Sequence, residues 1–160
     1  MLKAIMAVSA DGFVCTGPFD DMKWTGAEDK AIFRGETMGA IVGVGSTTAM
    51  YLPKLRGRTT IVLTREAEDE LPLIADGARM TLGAFYQNVP EGWLIGGQTV
   101  LLSAIRERFV DRIILSHVRT EVGGGLPDEI TPELHRRGWT SRLFPQETLS
   151  LVTWNAPHGS

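Results

Sequence analysis

Ala40-Ile41-Val42-Gly43-Val44-Gly45-Ser46-Thr47-Thr48 is the stretch whose reading decides the architecture. Its unbroken apolar start suits a strand covered on both faces rather than one wetted on one side. The run then passes through Gly45 into three hydroxyl residues, the start of a short helix over 46–51. The same grammar recurs on either side. Leu2 to Ser9 is a near-continuous apolar run and reads as a first buried strand. Thr59 to Thr64 is a further strand, entered from the turn Arg56-Gly57-Arg58. Gly92-Trp93-Leu94-Ile95 ends in Gly96-Gly97 and gives way to a helix over 99–107. Arg112 to Val118 is another strand, and a weak strand over 79–82 precedes a short helix from Gly83.

Between the first two strands lies a loop rich in Gly, Pro and Asp, from Ala10 to about Gly26. A helix over Ala27 to Met38 follows, with Ile32 and Phe33 on its inward face and Glu28-Asp29 in its first turn. Trp139 to Phe144 and Glu147 to Trp154 read as a terminal hairpin around Pro145-Gln146. Alternating strands and helices with this ending imply one α/β domain over 1–157. Its sheet is expected to be mainly parallel and doubly wound, with a C-terminal antiparallel hairpin. Residues 158–160 are read as a tail without function.

Composition removes several classes of function. The chain has 160 residues and a net charge of -3, which leaves no basic footprint for nucleic acid. No stretch approaches the apolar length of a membrane helix, and the N-terminus lacks an export signal. The single cysteine, Cys15, excludes an internal disulfide framework and suits a reducing cytoplasm. No His, Cys and carboxylate set has metal-ligand spacing. The expectation is a cytoplasmic protein, monomer or small homo-oligomer, acting on a small molecule.

Four constellations carry chemistry. Asp29 and Phe33 are four apart on a helix and share a face, which Thr37 extends by a turn. A carboxylate among apolar groups at the mouth of a sheet has a raised pKa, and it can take paired hydrogen bonds from an amidine-like ring edge. Glu28 and Asp29 also suit a helix N-terminus with no further role. Gly45-Ser46-Thr47-Thr48 and Ile95-Gly96-Gly97-Gln98-Thr99 are the second and third. Each runs from strand into helix and presents amides and hydroxyls that favour phosphate. Neither is a P-loop, since no Gly-Lys-Ser/Thr follows. Either alone is an ordinary capped turn, whereas two on one sheet point to a dinucleotide. The fourth places Arg58 before a strand, able to grip a carboxylate bidentately, with Thr64 and Arg65 beyond it for a phosphate. Surface arginine is the plain alternative.

Taken in order, these residues resemble the dihydrofolate reductase family over nearly the whole chain. The first strand ends near Asp11, and the loop closes on Met22-Lys23-Trp24, similar to that family's Met-x-Trp. Asp29 stands five beyond the Trp and four before Phe33, where the family has its acidic residue. Thr37, Gly45-Ser46-Thr47-Thr48, Leu55-Arg56-Gly57-Arg58, Ile95-Gly96-Gly97 and Ser116-His117 follow in the family's order. The resemblance implies reduction of 7,8-dihydrofolate to tetrahydrofolate with NADPH as cofactor. It implies catalytic roles for Asp29, Trp24 and Met22. Ile5, Asp29, Lys30, Phe33, Arg34, Arg58 and Ser116 would bind substrate, with Arg58, helped by Arg34 or Lys30, on the glutamate carboxylate. Ala7, Gly45, Ser46, Thr47, Thr48, Thr64, Arg65, Ile95, Gly96, Gly97, Gln98 and Thr99 would bind the cofactor.

Some positions depart from the family pattern. Lys23 replaces a Pro, Arg56 another Pro, Ser46 a basic residue, Lys30 an apolar one and Leu101 an aromatic one. A sister group, the reductase domain of riboflavin biosynthesis, is also similar through Ser9-Ala10-Asp11-Gly12, Glu28-Asp29 and Gly43-Val44-Gly45-Ser46. Ile95 in place of that group's usual Glu, and Arg58 in its Leu-x-Gly-Arg setting, favour the folate reading. An aminopyrimidine reductase and a non-catalytic module on the same fold are the alternatives. Trp93, Trp139 and Trp154 read as packing, His135 and His158 as solvated, and His117 as a sheet residue without metal.

Overall fold

The apolar run at the N-terminus becomes β1 (Leu2–Val8), buried at five of its seven positions because both faces of the strand are covered. The computed structural model describes residues 1–17, 20–67 and 74–157, so the expected tail lies outside the described residues. After β1 come β2 (Phe13–Cys15), a 3-10 turn over Lys23–Thr25 and helix α1 (Gly26–Thr37). The stretch that opened the sequence reading forms β3 (Ile41–Gly45) and α2 (Ser46–Ala49). Then follow β4 (Thr59–Leu63), β5 (Arg79–Met80), α3 (Leu82–Asn88), β6 (Trp93–Leu94) and α4 (Gln98–Arg106). The chain ends in β7 (Val110–Val118), β8 (Leu126–Pro127), α5 (Ile130–Arg136), β9 (Thr140–Pro145) and β10 (Leu149–Asn155).

One sheet runs β5-β4-β3-β6-β1-β7-β10-β9. The pairs from β5 to β7 are parallel, while β10 pairs antiparallel with both β7 and β9. This is the doubly wound α/β sheet with its terminal hairpin. Two details differ from the sequence reading. The segment over 10–26 is not loop throughout, since β2 pairs antiparallel with β8 in a small second ribbon. The second is that β8 and α5 were not foreseen. Gly123-Gly124-Gly125 and two prolines obscure their periodicity. Asp128 starts α5 by accepting from the amides of Ile130 and Thr131 at 2.8 and 3.1 Å.

Side-chain alternation divides the sheet into two faces. Leu2, Ala4, Leu94, Ile113, Leu115 and Trp154 join a large core with residues of α3, α4 and α5. Ile5, Val42, Trp93 and Ile114 form a smaller cluster on the other face, with Phe33 of α1, Leu55, Ile95 and Leu151 against it.

Candidate active site

Helix α1 hides little of itself: of its residues only Thr37 is buried. Its inward positions carry Asp29 and Phe33, and Asp29 is half-buried. Burial pushes the Asp29 carboxyl up from its ordinary value. The Ser116 and Thr25 hydroxyls and the Lys30 charge oppose this without cancelling it. Ser116 pairs with Ala7 across the β1–β7 register, on the same face as Ile5 and Ile114. It is fully buried, and its Oγ has no hydrogen-bond partner. The hydroxyl is thus near enough to favour the Asp29 anion yet outside bonding geometry to it. A buried hydroxyl without a partner beside a carboxyl is a place for the polar edge of a ligand.

A turn further along α1, Phe33 packs on the smaller cluster. The Arg58 guanidinium lies 5.7 Å from the Phe33 ring centre and donates to Thr37 Oγ1 at 3.3 Å and to the Arg56 carbonyl at 3.0 Å. Thr37 in turn donates to the Phe33 carbonyl at 2.8 Å, which fixes its oxygen for Arg58. Partial burial and then the Arg34 charge push Arg58 down from its ordinary value, but a guanidinium stays charged and keeps donors to spare. The inward side of α1 therefore reads carboxylate, aromatic ring, guanidinium. Asp29 and Thr37 span about 12 Å at the helical rise.

The loop before α1 is organised by a residue the sequence reading missed. Asp20 accepts from the amides of Thr16 and Met22, both at 2.8 Å, and from the Trp24 indole at 3.0 Å. Burial works to raise the Asp20 carboxyl, but these donors outweigh it and hold it below its ordinary value. The Asp-Asp pair before Met22 was the available signal, since Asp favours turns through its own backbone. Trp24 is half-buried with its N–H given to Asp20, and Met22 has a left-handed backbone at φ 58°.

Lys30 corrects an expectation. Its ammonium donates to the Met22 carbonyl at 2.8 Å and to Thr25 Oγ1 at 2.9 Å, so it serves the loop instead of reaching for a substrate carboxylate. Arg34 is exposed and shares with Lys30, Ala31, Gly35 and Met38 a shallow depression of about 570 Å³. That depression lies outside the Asp29–Phe33–Arg58 row. Glu28 accepts from the amide and hydroxyl of Thr148, both at 2.7 Å, tying α1 to the β9–β10 turn. Of the acidic pair, then, Glu28 is an anchor and Asp29 is the one facing the orphan hydroxyl.

The two glycine loops meet. The Gly45 amide donates to the Gly96 carbonyl at 2.8 Å, and the Gly96–Gly97 peptide is cis. A Cβ on Gly97 would come within 3.0 Å of Thr48 Oγ1, and one on Gly45 within 3.0 Å of Val100. Gly96 has φ 136°, open to glycine alone. Gly97 is the N-cap of α4 and no side chain caps the helix there, leaving its first amides to a ligand. Ser46, Thr47, Thr48 and Thr99 are exposed beside these loops, and Ala7 is buried in β1. Gln98 opens α4. Its side chain is buried, donating to the Pro127 carbonyl and accepting from the Glu129 amide, at 2.9 and 2.8 Å. Only its backbone remains for a cofactor. Leu101 is fully buried in the larger core and so does not border the site. Thr64 follows β4 and is half-buried, and Arg65 beyond it is exposed. His117, facing away from Ser116 by alternation, is pushed down by burial against the opposing charge of Asp128. Among the described residues no group of His, Cys, Asp and Glu could hold a metal.

Comparison with known proteins agrees with this fold. The family model described as dihydrofolate reductase matches residues 1–147. A dihydrofolate reductase of Mycobacterium tuberculosis (strain ATCC 25618 / H37Rv) is 34% identical over 135 residues, covering 81% of this chain and 76% of its own. Dihydrofolate reductase type 8 of Escherichia coli is 43% identical over 89 residues, covering 54% and 48%. Among solved structures, dihydrofolate reductase from Enterococcus faecalis, complexed with NADP(H) and RAB-propyl, superposes with a TM-score of 0.70. That match has 21% identity and covers 97% of this chain and 95% of that one, a likeness of fold. With the family model spanning most of the chain and the fold agreeing, this chain belongs to the dihydrofolate reductase family.

Proposed function

We propose that the protein reduces 7,8-dihydrofolate to tetrahydrofolate with NADPH. The observation that carries this is the row along α1: a carboxyl raised by burial at Asp29, an aromatic ring at Phe33, and beside Thr37 the guanidinium of Arg58 from the turn before β4. Dihydrofolate presents the complementary series, an amidine-like pterin edge, an aromatic linker and a glutamate carboxylate. Family membership favours this substrate over the aminopyrimidine of riboflavin biosynthesis.

Asp29 receives the pterin's amino group and ring N–H, and Ser116 Oγ, otherwise without a partner, takes part in holding the same edge. Reduction of the C6=N5 bond needs a hydride at C6 and a proton at N5. NADPH supplies the hydride when bound. The raised Asp29 carboxyl keeps a proton within reach of N5, directly or through water, at a pH where an ordinary Asp would have lost it. Ile5, Phe33 and Ile95 wall the ring and exclude solvent, and Arg58 pairs with the glutamate carboxylate. The α4 amides at Gly97, together with Ser46, Thr47 and Thr48, suit the cofactor's phosphates. Thr64 and Arg65 suit the 2′-phosphate that distinguishes NADPH from NADH. Among the described residues no helix is long and apolar enough to cross a membrane.

The test is loss of NADPH absorbance with dihydrofolate and, separately, with the riboflavin-pathway aminopyrimidine. Turnover with the first and none with the second is expected. The reverse pattern would overturn the proposal.

A further inference from the structure

We propose that Lys30 is a positioning residue, fixing the Met22 peptide against the first turn of α1 beside Asp29. This rests on the reading of Asp29 as the residue that handles the pterin. Met22 is held at both ends of its backbone. Its amide donates to Asp20 Oδ1 at 2.8 Å. Its carbonyl receives three donors: Lys30 Nζ at 2.8 Å, Thr25 Oγ1 at 3.0 Å and the Thr25 amide at 3.2 Å. A methionine in the left-handed region persists only where its surroundings over-determine it, and here they do. The ammonium of Lys30 is the charged member of this set, and it comes from α1, the helix that also carries Asp29 and Phe33. Loop and catalytic helix are thereby locked in one register.

The arrangement also reaches Asp29. Thr25 is buried four residues before Asp29, on the same side of the helix start. Its hydroxyl gives its one proton to the Met22 carbonyl and accepts from Lys30 at 2.9 Å. Lys30 thus fixes the buried threonine beside Asp29 as well as the loop. Lys30 therefore acts on the reaction through Thr25 and the loop, and makes no contact with the substrate's glutamate.

The experiment uses the full chain as Lys30→Met and Lys30→Arg. It reads amide hydrogen exchange over residues 22–26, single-turnover hydride transfer, and KM for dihydrofolate. Lys30→Met is expected to speed exchange and slow transfer, each by roughly tenfold, because a charge-assisted bond is lost. KM should stay within about twofold, as for a group that does not touch substrate. Arginine, which keeps the charge and the donors, should restore exchange and transfer to within about threefold. Unchanged exchange and transfer in Lys30→Met would overturn the proposal. So would a rise in KM alone, which would place Lys30 on the glutamate. Should the wild-type chain not reduce dihydrofolate, the functional reading fails, while exchange in the two variants still decides whether Lys30 holds the loop.

Discussion

The two faces of the sheet are built to different ends. On one, α4 buries Gln98, Leu101, Ala104 and Ile105, and α5 adds Ile130 and Leu134 to the same dry core. On the other, the longer α1 buries Thr37 alone and turns a carboxyl, an aromatic ring and a bound guanidinium towards the smaller cluster. Packing on the first face is apolar along both helices, with the Trp154 indole N–H as its one buried polar atom without a partner among the described residues. Packing on the second stops short, and the orphaned Ser116 hydroxyl marks the gap. The larger core supplies stability, and that allows the α1 face to keep groups that stability alone would not select.

The contrast can be broken by swapping its consequences. Asp29→Asn should lower single-turnover hydride transfer at neutral pH by roughly a hundredfold or more, with the fold intact, because the amide cannot cycle a proton. Leu101→Ala should do the opposite, costing about 2–5 kcal/mol in unfolding free energy while the folded fraction keeps its kcat and KM. A Leu101→Ala variant that lost kcat at full folding would put α4 in the chemistry and erase the distinction between the faces. Arg58→Lys keeps the charge but loses the fork, so KM for dihydrofolate should rise by about tenfold, with kcat little changed. The same rise with a substrate lacking the glutamate would remove Arg58 from tail recognition.

Smaller effects sharpen the picture. The Asp29 carboxyl is raised above its unfolded value, so the folded state binds the proton more tightly. The stability linked to that proton is present below the unfolded value and is lost as pH rises through the folded one. Asp29→Asn should therefore unfold at a higher temperature than wild type at neutral pH, with the advantage fading as pH falls. Asp11 runs the other way. The Ser9 hydroxyl, with the Val122 and Gly123 amides, holds its carboxyl at about 2. Its contribution is present above the ordinary Asp value and lost as pH falls through about 2. In Asp11→Asn, hydrogen exchange at 122–123 should rise modestly. Unchanged exchange there would show that this carboxylate does not hold the two loops together.

The main strands of the large sheet were legible because they are apolar runs ended by glycine or a polar turn, as 40–48 shows. Asp29 was legible because helical spacing puts it on one face with Phe33 and Thr37. Lys30 was not, because spacing fixes a Cβ and not the direction of a four-carbon stem, and the stem turns to Met22. The side-chain role of Gln98 was unread for a related reason. Its partners, Pro127 and Glu129, lie far along the chain in a segment whose glycines and prolines hid β8 and α5. Asp20 went unread because its three bonds depend on a loop fold that no periodicity announces.

The central claim is that burial keeps the Asp29 carboxyl protonatable for chemistry at N5, and its pH profile tests that most directly. His117 points to the other face, with His117→Asn as its control. Single-turnover hydride transfer should be flat in acid. It should then fall by about tenfold per pH unit once pH passes a pKa above the ordinary Asp value. Asp29→Asn should be slow and lack that break. A wild-type rate that ignores pH, or the same break surviving in Asp29→Asn, would contradict the account.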